Sequence, residues 1–191
     1  MKEETIDVVE IKEEDVEALK VFDTLNKVDV SKYIEKKEGG KDKNGKPVLL
    51  SYLSWAWAWA EVKKRFPNAE YSIEKFENGL PYVCDENTGY MVFTHVGING
   101  QWHEMWLPVM DNKNNAMKSK PYTYKTKWGE NTVDQATMFD INKTIMRCLV
   151  KNLAMFGLGL YIYAGEDLPE SDDPKVELPQ VDENGVSSKA K

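Results

Sequence analysis

Apolar residues at helical spacing mark the longest predicted element of the chain. Between about Val133 and Phe156 they form the single stripe that a helix buries against a core. The stripe consists of Ile141, Ile145, Cys148, Leu149, Leu153 and Phe156. Gly157 and Gly159 follow and predict the end of this helix. Near the N-terminus, Val16, Leu19 and residues 22–25 predict a second, short amphipathic helix.

The segment 52–66 holds three tryptophans at alternate positions, which is a strand-like spacing. Helical spacing fits it better, because its alanines are strong helix formers and a proline follows the last apolar residue. The helical face would hold Tyr52, Trp55, Trp59, Val62 and Phe66. We predict a helix with Trp55 and Trp59 in the core. Trp57 would point away as a subunit-interface anchor or, less favoured, as a stacking platform.

Shorter apolar runs between residues 69 and 111 alternate with polar residues and predict strands. The predicted strands are Tyr71–Phe76, Pro81–Cys84, Tyr90–Ile98 and Trp102–Val109. Asn99-Gly100 predicts a two-residue type I′ turn between the last two, since both turn positions need positive φ. That register puts Phe93 opposite Trp106 as a cross-strand aromatic pair. The predicted fold class is therefore α+β, with an antiparallel hairpin and sheet packed on the long helix.

Two polar segments are predicted as loops. Residues 36–47 are rich in glycine and lysine without an apolar anchor, which predicts a mobile basic loop of the kind that often meets ligands. Residues 110–133 are polar as well, and a loop of that length is more often functional than a spacer.

Three cations recur on the long helix at i, i+4 and i+8: Lys143, Arg147 and Lys151. This spacing puts them on one face, opposite the apolar stripe. Neighbouring cations are one helical turn, or about 6 Å, apart. This distance is near the phosphate spacing of an extended nucleic-acid strand. A solvated outer face is the ordinary explanation for such charges. It is weaker here, because no acid lies four residues from Arg147 to pair with it.

A second candidate site interleaves cations with aromatic rings. Its residues are Lys118, Lys120, Tyr122, Tyr124, Lys125, Lys127 and Trp128. Cations that follow phosphates and rings on which bases stack are what sequence-tolerant binding of single strands requires. An edge strand with its rings inward and its lysines outward explains the pattern equally well.

The charge of the chain is unevenly distributed. The net charge of -7 at first argues against a nucleic-acid partner. Residues 1–30 hold 10 acids and 4 bases, and residues 166–191 hold 8 acids and 3 bases, so residues 31–165 carry +4. We therefore expect a flexible acidic N-terminus at 1–14, one domain at 15–165 and a disordered acidic tail at 166–191.

No apolar run is long enough for a membrane span, and the first residues lack the apolar run of a signal peptide. We expect a cytoplasmic protein with no membrane partner. Cys84 and Cys148 form neither a disulfide framework nor a zinc-ligand spacing, and we expect two reduced, buried thiols.

Features of an enzyme are few. Residues 40–47 approach a phosphate-binding loop but end in Pro47, where a magnesium-binding hydroxyl is required, so ATP hydrolysis is not supported and no cofactor is expected. His95 and His103 lie on neighbouring predicted strands but not opposite each other. A metal-dependent nuclease would require a carboxylate cluster, for which the candidates are Asp85, Glu104 and Asp111.

Three blocks of the chain together resemble a phage single-strand annealing family, the Sak and Erf-like recombinases grouped with the Rad fifty-two superfamily. The main block is DINKTIMRCLVKNLAMFGLGLYIYAGEDL at residues 140–168, and the other two are residues 52–59 and 105–111. The resemblance covers roughly residues 20–168.

This resemblance implies a β-β-β-α core that assembles into homo-oligomeric rings or helical filaments, with single-stranded DNA in a groove between hairpin and helix. It implies that Lys143, Arg147 and Lys151 are the basic helix residues of the family. The implied function is ATP-independent binding and annealing of complementary single strands in phage homologous recombination, in the bacterial host cytoplasm and without catalytic residues. A host single-strand-binding protein and a phage exonuclease are further candidate partners.

Three other functions remain open at the level of sequence. The protein could protect single-stranded DNA or RNA without annealing it, could be a metal-dependent nuclease, or could be a structural phage component whose tryptophans serve assembly. The first is the main alternative.

Overall fold

The computed structural model describes residues 13–41, 45–127 and 129–163. Residues 1–12 and 164–191, which hold most of the predicted acidic N-terminus and the predicted acidic tail, lie outside the described residues, as does Trp128. The helices are α1 (Glu13–Asn26), α2 (Trp55–Arg65) and α3 (Met138–Met155). The strands are β1 (Ile34–Lys41), β2 (Pro47–Leu53), β3 (Glu70–Ile73), β4 (Val83–Asp85), β5 (Gly89–Ile98), β6 (Gln101–Pro108), β7 (Tyr122–Thr126) and β8 (Gly129–Val133). The predicted α+β class with antiparallel pairing is confirmed.

The main sheet is organised around β5. One edge of β5 pairs with β6 along its length, and the other edge pairs with β3 and β4. The turn between β5 and β6 is the predicted one, since Asn99 and Gly100 both have positive φ, at 48° and 82°. The predicted pairing of Phe93 with Trp106 is also confirmed.

The prediction of a mobile loop at residues 36–47 was wrong for most of these residues. Residues 36–41 belong to β1, which pairs antiparallel with β2, and only a short connection separates the two strands. Lys36 lies opposite Ser51, and Lys37 lies opposite Leu50. Because β1 is held by backbone hydrogen bonds to its partner strand, it needs no apolar anchor of its own.

The predicted loop at residues 110–133 was also wrong in its second half. Tyr122–Thr126 and Gly129–Val133 form the β7–β8 hairpin. For the same reason α3 begins at Met138 and not near Val133, which is paired with Tyr122. A capping box starts the helix: the Thr137 hydroxyl accepts from the Asp140 N–H, and the Asp140 carboxylate accepts from the Thr137 N–H.

The apolar stripe of α3 is buried as predicted. Its N-terminal half packs with Val92 of β5 and with the β7–β8 hairpin, and its C-terminal half packs with β5, α1 and α2. Gly157, at φ 104°, ends the helix where its Cα comes so close to α1 that an added Cβ would lie 2.7 Å from the Phe22 carbonyl oxygen. None of the described helices is long and apolar enough to cross a membrane.

The short helix α1 is confirmed, and it docks through Leu25 of the predicted set together with Val21, which was not in that set. Val21 and Leu25 are fully buried in the core, whereas Val16 and Leu19 are exposed. The prediction from the pattern therefore gave the element correctly and its buried face only in part.

Two of the three tryptophans of α2 are placed differently from the prediction, whereas Trp59 is partly buried and packs against the core, in agreement with it. Trp55 is 43% exposed and is not a core residue. Trp57 is half-buried and stacks on Tyr33, with ring centroids 4.1 Å apart and an interplanar angle of 19°. The helix begins only at Trp55, because residues 47–53 are in β2, and this start turns Ala58 and Val62 toward the core.

The two cysteines differ in their environment. Cys84 is exposed, so the prediction of two buried thiols was wrong for it. Cys148 is buried, and its Sγ lies 3.3 Å from the Thr94 hydroxyl and 3.2 Å from the Met105 carbonyl oxygen. Burial raises the pKa of the Cys148 thiol to about 11, which keeps it protonated and unreactive.

One polar side chain fastens α3 to the sheet. Asn152 is fully buried, and its Nδ2 donates to the backbone carbonyls of Thr94 on β5 and His103 on β6, both at 3.0 Å. Its Oδ1 has no hydrogen-bond partner within the described part of the chain. The two bonds tie one helix to two adjacent strands.

We therefore expect Asn152→Ala to lower the free energy of unfolding by about 2–4 kcal/mol, because it removes the two hydrogen bonds from α3 to the strand carbonyls and opens a small cavity. Asn142→Ala is the matched control, since Asn142 is an exposed asparagine on the same helix, and its effect should stay within about 0.5 kcal/mol. Urea unfolding followed by circular dichroism measures both. Equal effects of the two changes would contradict the role of Asn152.

Candidate nucleic-acid interface

The outward face of α3 pairs each of its three cations with an aromatic ring. Lys143 Nζ lies 5.9 Å from the ring centroid of Phe139, the Arg147 guanidinium lies 5.2 Å from that of Tyr52, and Lys151 Nζ lies 5.3 Å from that of Tyr163. We call Lys143, Arg147 and Lys151 the cation row. Successive members are one helical turn apart, so the row extends along the helix for about 12 Å.

Strand β2 supplies the opposite wall of a small groove beside the Arg147 and Lys151 end of this row. The groove is lined by Ser51, Tyr52, Leu53, Arg147, Lys151 and Tyr163. Lys37 of β1 also faces the Tyr52 ring, with its Nζ 5.6 Å from the centroid. The hairpin that was predicted as a loop thus brings a fourth cation to the site. We call this the α3–β2 groove.

The cations of the row differ in their ionic partners. Lys143 is bound 3.1 Å from the Asp140 carboxylate. Partial burial works to raise the pKa of Asp140, but hydrogen bonds from Thr137 and Lys143 outweigh it and hold that pKa below its usual value. Arg147 makes no ion pair within the described residues. Its charge therefore remains available to an anionic ligand.

A ring holds a cation without neutralising it. Cation–π contact is worth about 0.5–1 kcal/mol at exposed sites, enough to bias a long side chain toward one position. A phosphate can still bind the remaining donors of Arg147, whose fork matches phosphate geometry. The groove therefore combines positive charge with aromatic surface, and beyond its lining the Phe139 ring beside Lys143 is 74% exposed.

Sequence reasoning named the cation row but missed its aromatic partners. Tyr52 was assigned to a helix, although it lies in β2. Phe139 precedes Lys143 by four residues, so helical spacing alone could have identified that pair. No local signal pairs Tyr52 with Arg147, because the contact joins residues that are 95 positions apart.

The two tyrosines of the second predicted site pack against the core. Tyr122 and Tyr124 are half-buried against the core beside α3. The Tyr122 hydroxyl donates to the Ala116 carbonyl at 2.8 Å, and the Tyr124 hydroxyl accepts from the Asn115 amide at 3.3 Å. Both rings thus point inward, as the edge-strand explanation expected.

The lysines of this second site lie at the surface. Lys120, Lys125 and Lys127 are exposed, and Lys118 Nζ lies 4.7 Å from the Tyr122 ring centroid. They belong to the β7–β8 hairpin and the segment before it, whereas the cation row faces β2. A role for these lysines in binding stays a prediction.

The carboxylates proposed for a nuclease have separate structural roles. Asp85 accepts from the backbone N–H groups of Asn87 and Thr88, and Asp111 accepts from the N–H of Asn115. Glu104 lies 3.8 Å from His95. In the part of the chain that the structure describes, no group of three or more His, Cys, Asp or Glu side chains could hold a metal ion.

The two histidines also have structural neighbours. His95 lies opposite Glu104 in the ladder, which confirms the prediction that it does not lie opposite His103. Its Nε2 is 3.0 Å from Glu74. The His103 ring packs edge-on against Phe156, with centroids 4.5 Å apart.

Comparison with known proteins identifies the family of the chain. The family model described as Sak Single Strand Annealing Protein matches residues 20–191. The chain therefore belongs to the Sak single-strand annealing protein family, and the resemblance noted from the three sequence blocks is confirmed. A comparison with curated proteins gave no match.

We expect Tyr122→Phe to lower the free energy of unfolding by about 1 kcal/mol, because the partly buried Ala116 carbonyl loses its donor. Tyr161→Phe is the control, since Tyr161 is 53% exposed, and it should leave stability unchanged. Urea unfolding compares the two. Identical midpoints would mean that the Tyr122 hydroxyl does not hold the hairpin to the core.

Proposed function

We propose that this protein binds single-stranded DNA along the α3–β2 groove and anneals it to a complementary strand without ATP. The observation that carries the proposal is the cation row, in which each positive charge sits over an aromatic ring. Membership of the Sak family supports annealing in phage recombination as its biological setting.

The proposed mechanism is physical and involves no covalent step. The cation row and Lys37 hold the phosphates of one strand, while aromatic surface such as Phe139 supports its bases. The edges of the bases stay free, so a complementary strand can test its register. Mismatched pairs dissociate, and matched pairs extend through base pairing and stacking. Base pairing supplies the free energy, so nucleotide hydrolysis is not required.

The arrangement of strands and helix supports the proposed β-β-β-α annealing core. Strands β3, β5 and β6 form one sheet, and α3 crosses β5 and β6 with its apolar stripe against them. The cation row lies on the other side of α3, and β2 closes the groove.

We expect wild-type protein to accelerate annealing of two labelled complementary oligonucleotides without ATP, and Arg147→Ala combined with Lys151→Ala to lose that acceleration. With two phosphate contacts gone, the slope of log K against log[salt] should fall by roughly 1.4. The matched control is Lys20→Ala with Lys75→Ala, which removes the same charge from exposed positions on α1 and after β3.

The possible results separate the alternatives. Acceleration that survives in a folded double variant would keep the function and move the site to residues 118–128. Binding without any acceleration by the wild type would favour a module that only protects single strands.

We further propose that the protein self-associates, as rings or filaments require. An apolar groove of about 600 Å³ lies between α1, the start of β6 and the end of α3, and its lining includes Leu19, Trp102 and Met155. These three side chains are 57%, 58% and 48% exposed. Exposed apolar surface of this kind marks contact surfaces between proteins.

We expect Trp102→Glu to shift the protein from oligomer to smaller species in light scattering coupled to size exclusion, because it places a charge in the apolar contact. Leu49→Glu is the matched control, since Leu49 is 55% exposed but lies on the β1–β2 hairpin. The same shift in both variants, or in neither, would count against this surface.

A further inference from the structure

The α3–β2 groove ends at the point where the described chain stops. Tyr163 lines the groove and is also the last residue before the segment 164–191. The ring of Tyr163 lies under Lys151. The segment that follows is therefore tethered directly at the cation row.

The charge of that segment is concentrated beside its tether. Residues 166–173 contain five acids and no base: Glu166, Asp167, Glu170, Asp172 and Asp173. Residues 174–191 contain three acids and three bases and are neutral. The whole charge of -5 thus falls within ten residues of Tyr163. Its sign is opposite to that of the groove.

Distances allow these acids to reach every member of the cation row. An extended chain covers about 3.3 Å per residue, so Glu166 can lie up to roughly 10 Å from Tyr163 and Asp173 up to roughly 33 Å. Lys143 lies two helical turns from Lys151, or about 12 Å along α3. The acids are also spaced by one to three residues, which lets several cations be paired at once.

We propose that residues 166–173 of the chain's own acidic segment dock in the α3–β2 groove and compete there with the phosphates of DNA. This inference rests on the proposed DNA-binding function of the groove. Tethering gives the segment an effective concentration in the millimolar range, so even weak pairing occupies the groove for much of the time. DNA then binds only the fraction of molecules with an open groove, and its apparent affinity falls by that fraction.

The docked segment makes binding depend on the length of the DNA. A short strand that contacts one subunit must displace the segment with few phosphate contacts. A long strand that spans several subunits gains many contacts for each displacement. The acidic segment therefore selects long single strands over short ones.

A pair of matched full-length variants tests the proposal. The proximal variant carries Glu166→Gln, Asp167→Asn and Glu170→Gln, and the distal variant carries Glu177→Gln, Asp182→Asn and Glu183→Gln. Both remove the same residue types and the same charge. At low salt, we expect the proximal variant to bind a labelled 12-nucleotide oligothymidine about three- to tenfold more tightly than wild type, and the distal variant to change by less than about twofold.

This titration distinguishes docking in the groove from an effect of overall charge. If both variants bound the oligonucleotide more tightly by the same factor, the effect would come from overall charge, and docking in the groove would be overturned. No tightening in either would overturn it as well, while DNA binding by the wild type would leave the proposed function intact.

A second measurement needs no DNA and separates the two proposals. A carbodiimide joins lysine amines to carboxylates in contact, and the Lys143–Asp140 pair at 3.1 Å is its internal control. We expect amide links from Lys143 or Lys151 to Glu166, Asp167 or Glu170, found by mass spectrometry. Their absence while the control link forms would overturn docking, whatever the result with DNA. Links between isotopically light and heavy chains would assign the segment to a neighbouring copy and overturn docking within one chain.

Discussion

The packing of α3 against β5 and β6 is the constraint on which the rest of the structure depends. The apolar stripe fixes the rotation of the helix, and Asn152 fixes its position by hydrogen bonds to carbonyls of both strands. Each residue of a helix turns by about 100°, so once the stripe faces the sheet, Lys143, Arg147 and Lys151 must face away from it. The functional face is therefore a geometric consequence of the buried one.

The environment of a cation decides whether it can serve a ligand. On α2, Lys64 and Arg65 both lie 2.6 Å from the Glu61 carboxylate, and their hydrogen bonds lower the pKa of Glu61. Glu61 therefore offsets one of these two positive charges within the chain. On α3, rings take the place of the acid beside Arg147, and a ring attracts a cation without cancelling its charge.

Sequence reasoning succeeded where one local pattern determines the structure. The stripe of α3 and the Asn99-Gly100 turn follow from period and φ preference, and the turn in turn sets the pairing of Phe93 with Trp106. The β1–β2 hairpin was missed because β1 is polar and is held by pairing with β2, which no periodicity in β1 indicates. For β7, the alternation of rings and polar residues had already left an edge strand as an alternative. The cation row was identified, but not the Tyr52 ring, since that ring reaches Arg147 only after β2 has folded against α3.

The net charge of -7 at first argued against a nucleic-acid partner, but a ligand responds to the charges near its binding site and not to their sum. The cations of the groove and most of the acids belong to different segments of the chain, so the summed charge does not describe the potential at the groove. A modest number of cations also suits annealing better than a large one. Each phosphate contact must be released when the product duplex leaves, and a surface that bound single strands too strongly would hold them against pairing. In the proposed oligomer, three or four cations per subunit would bind a long strand firmly while each local segment exchanges readily.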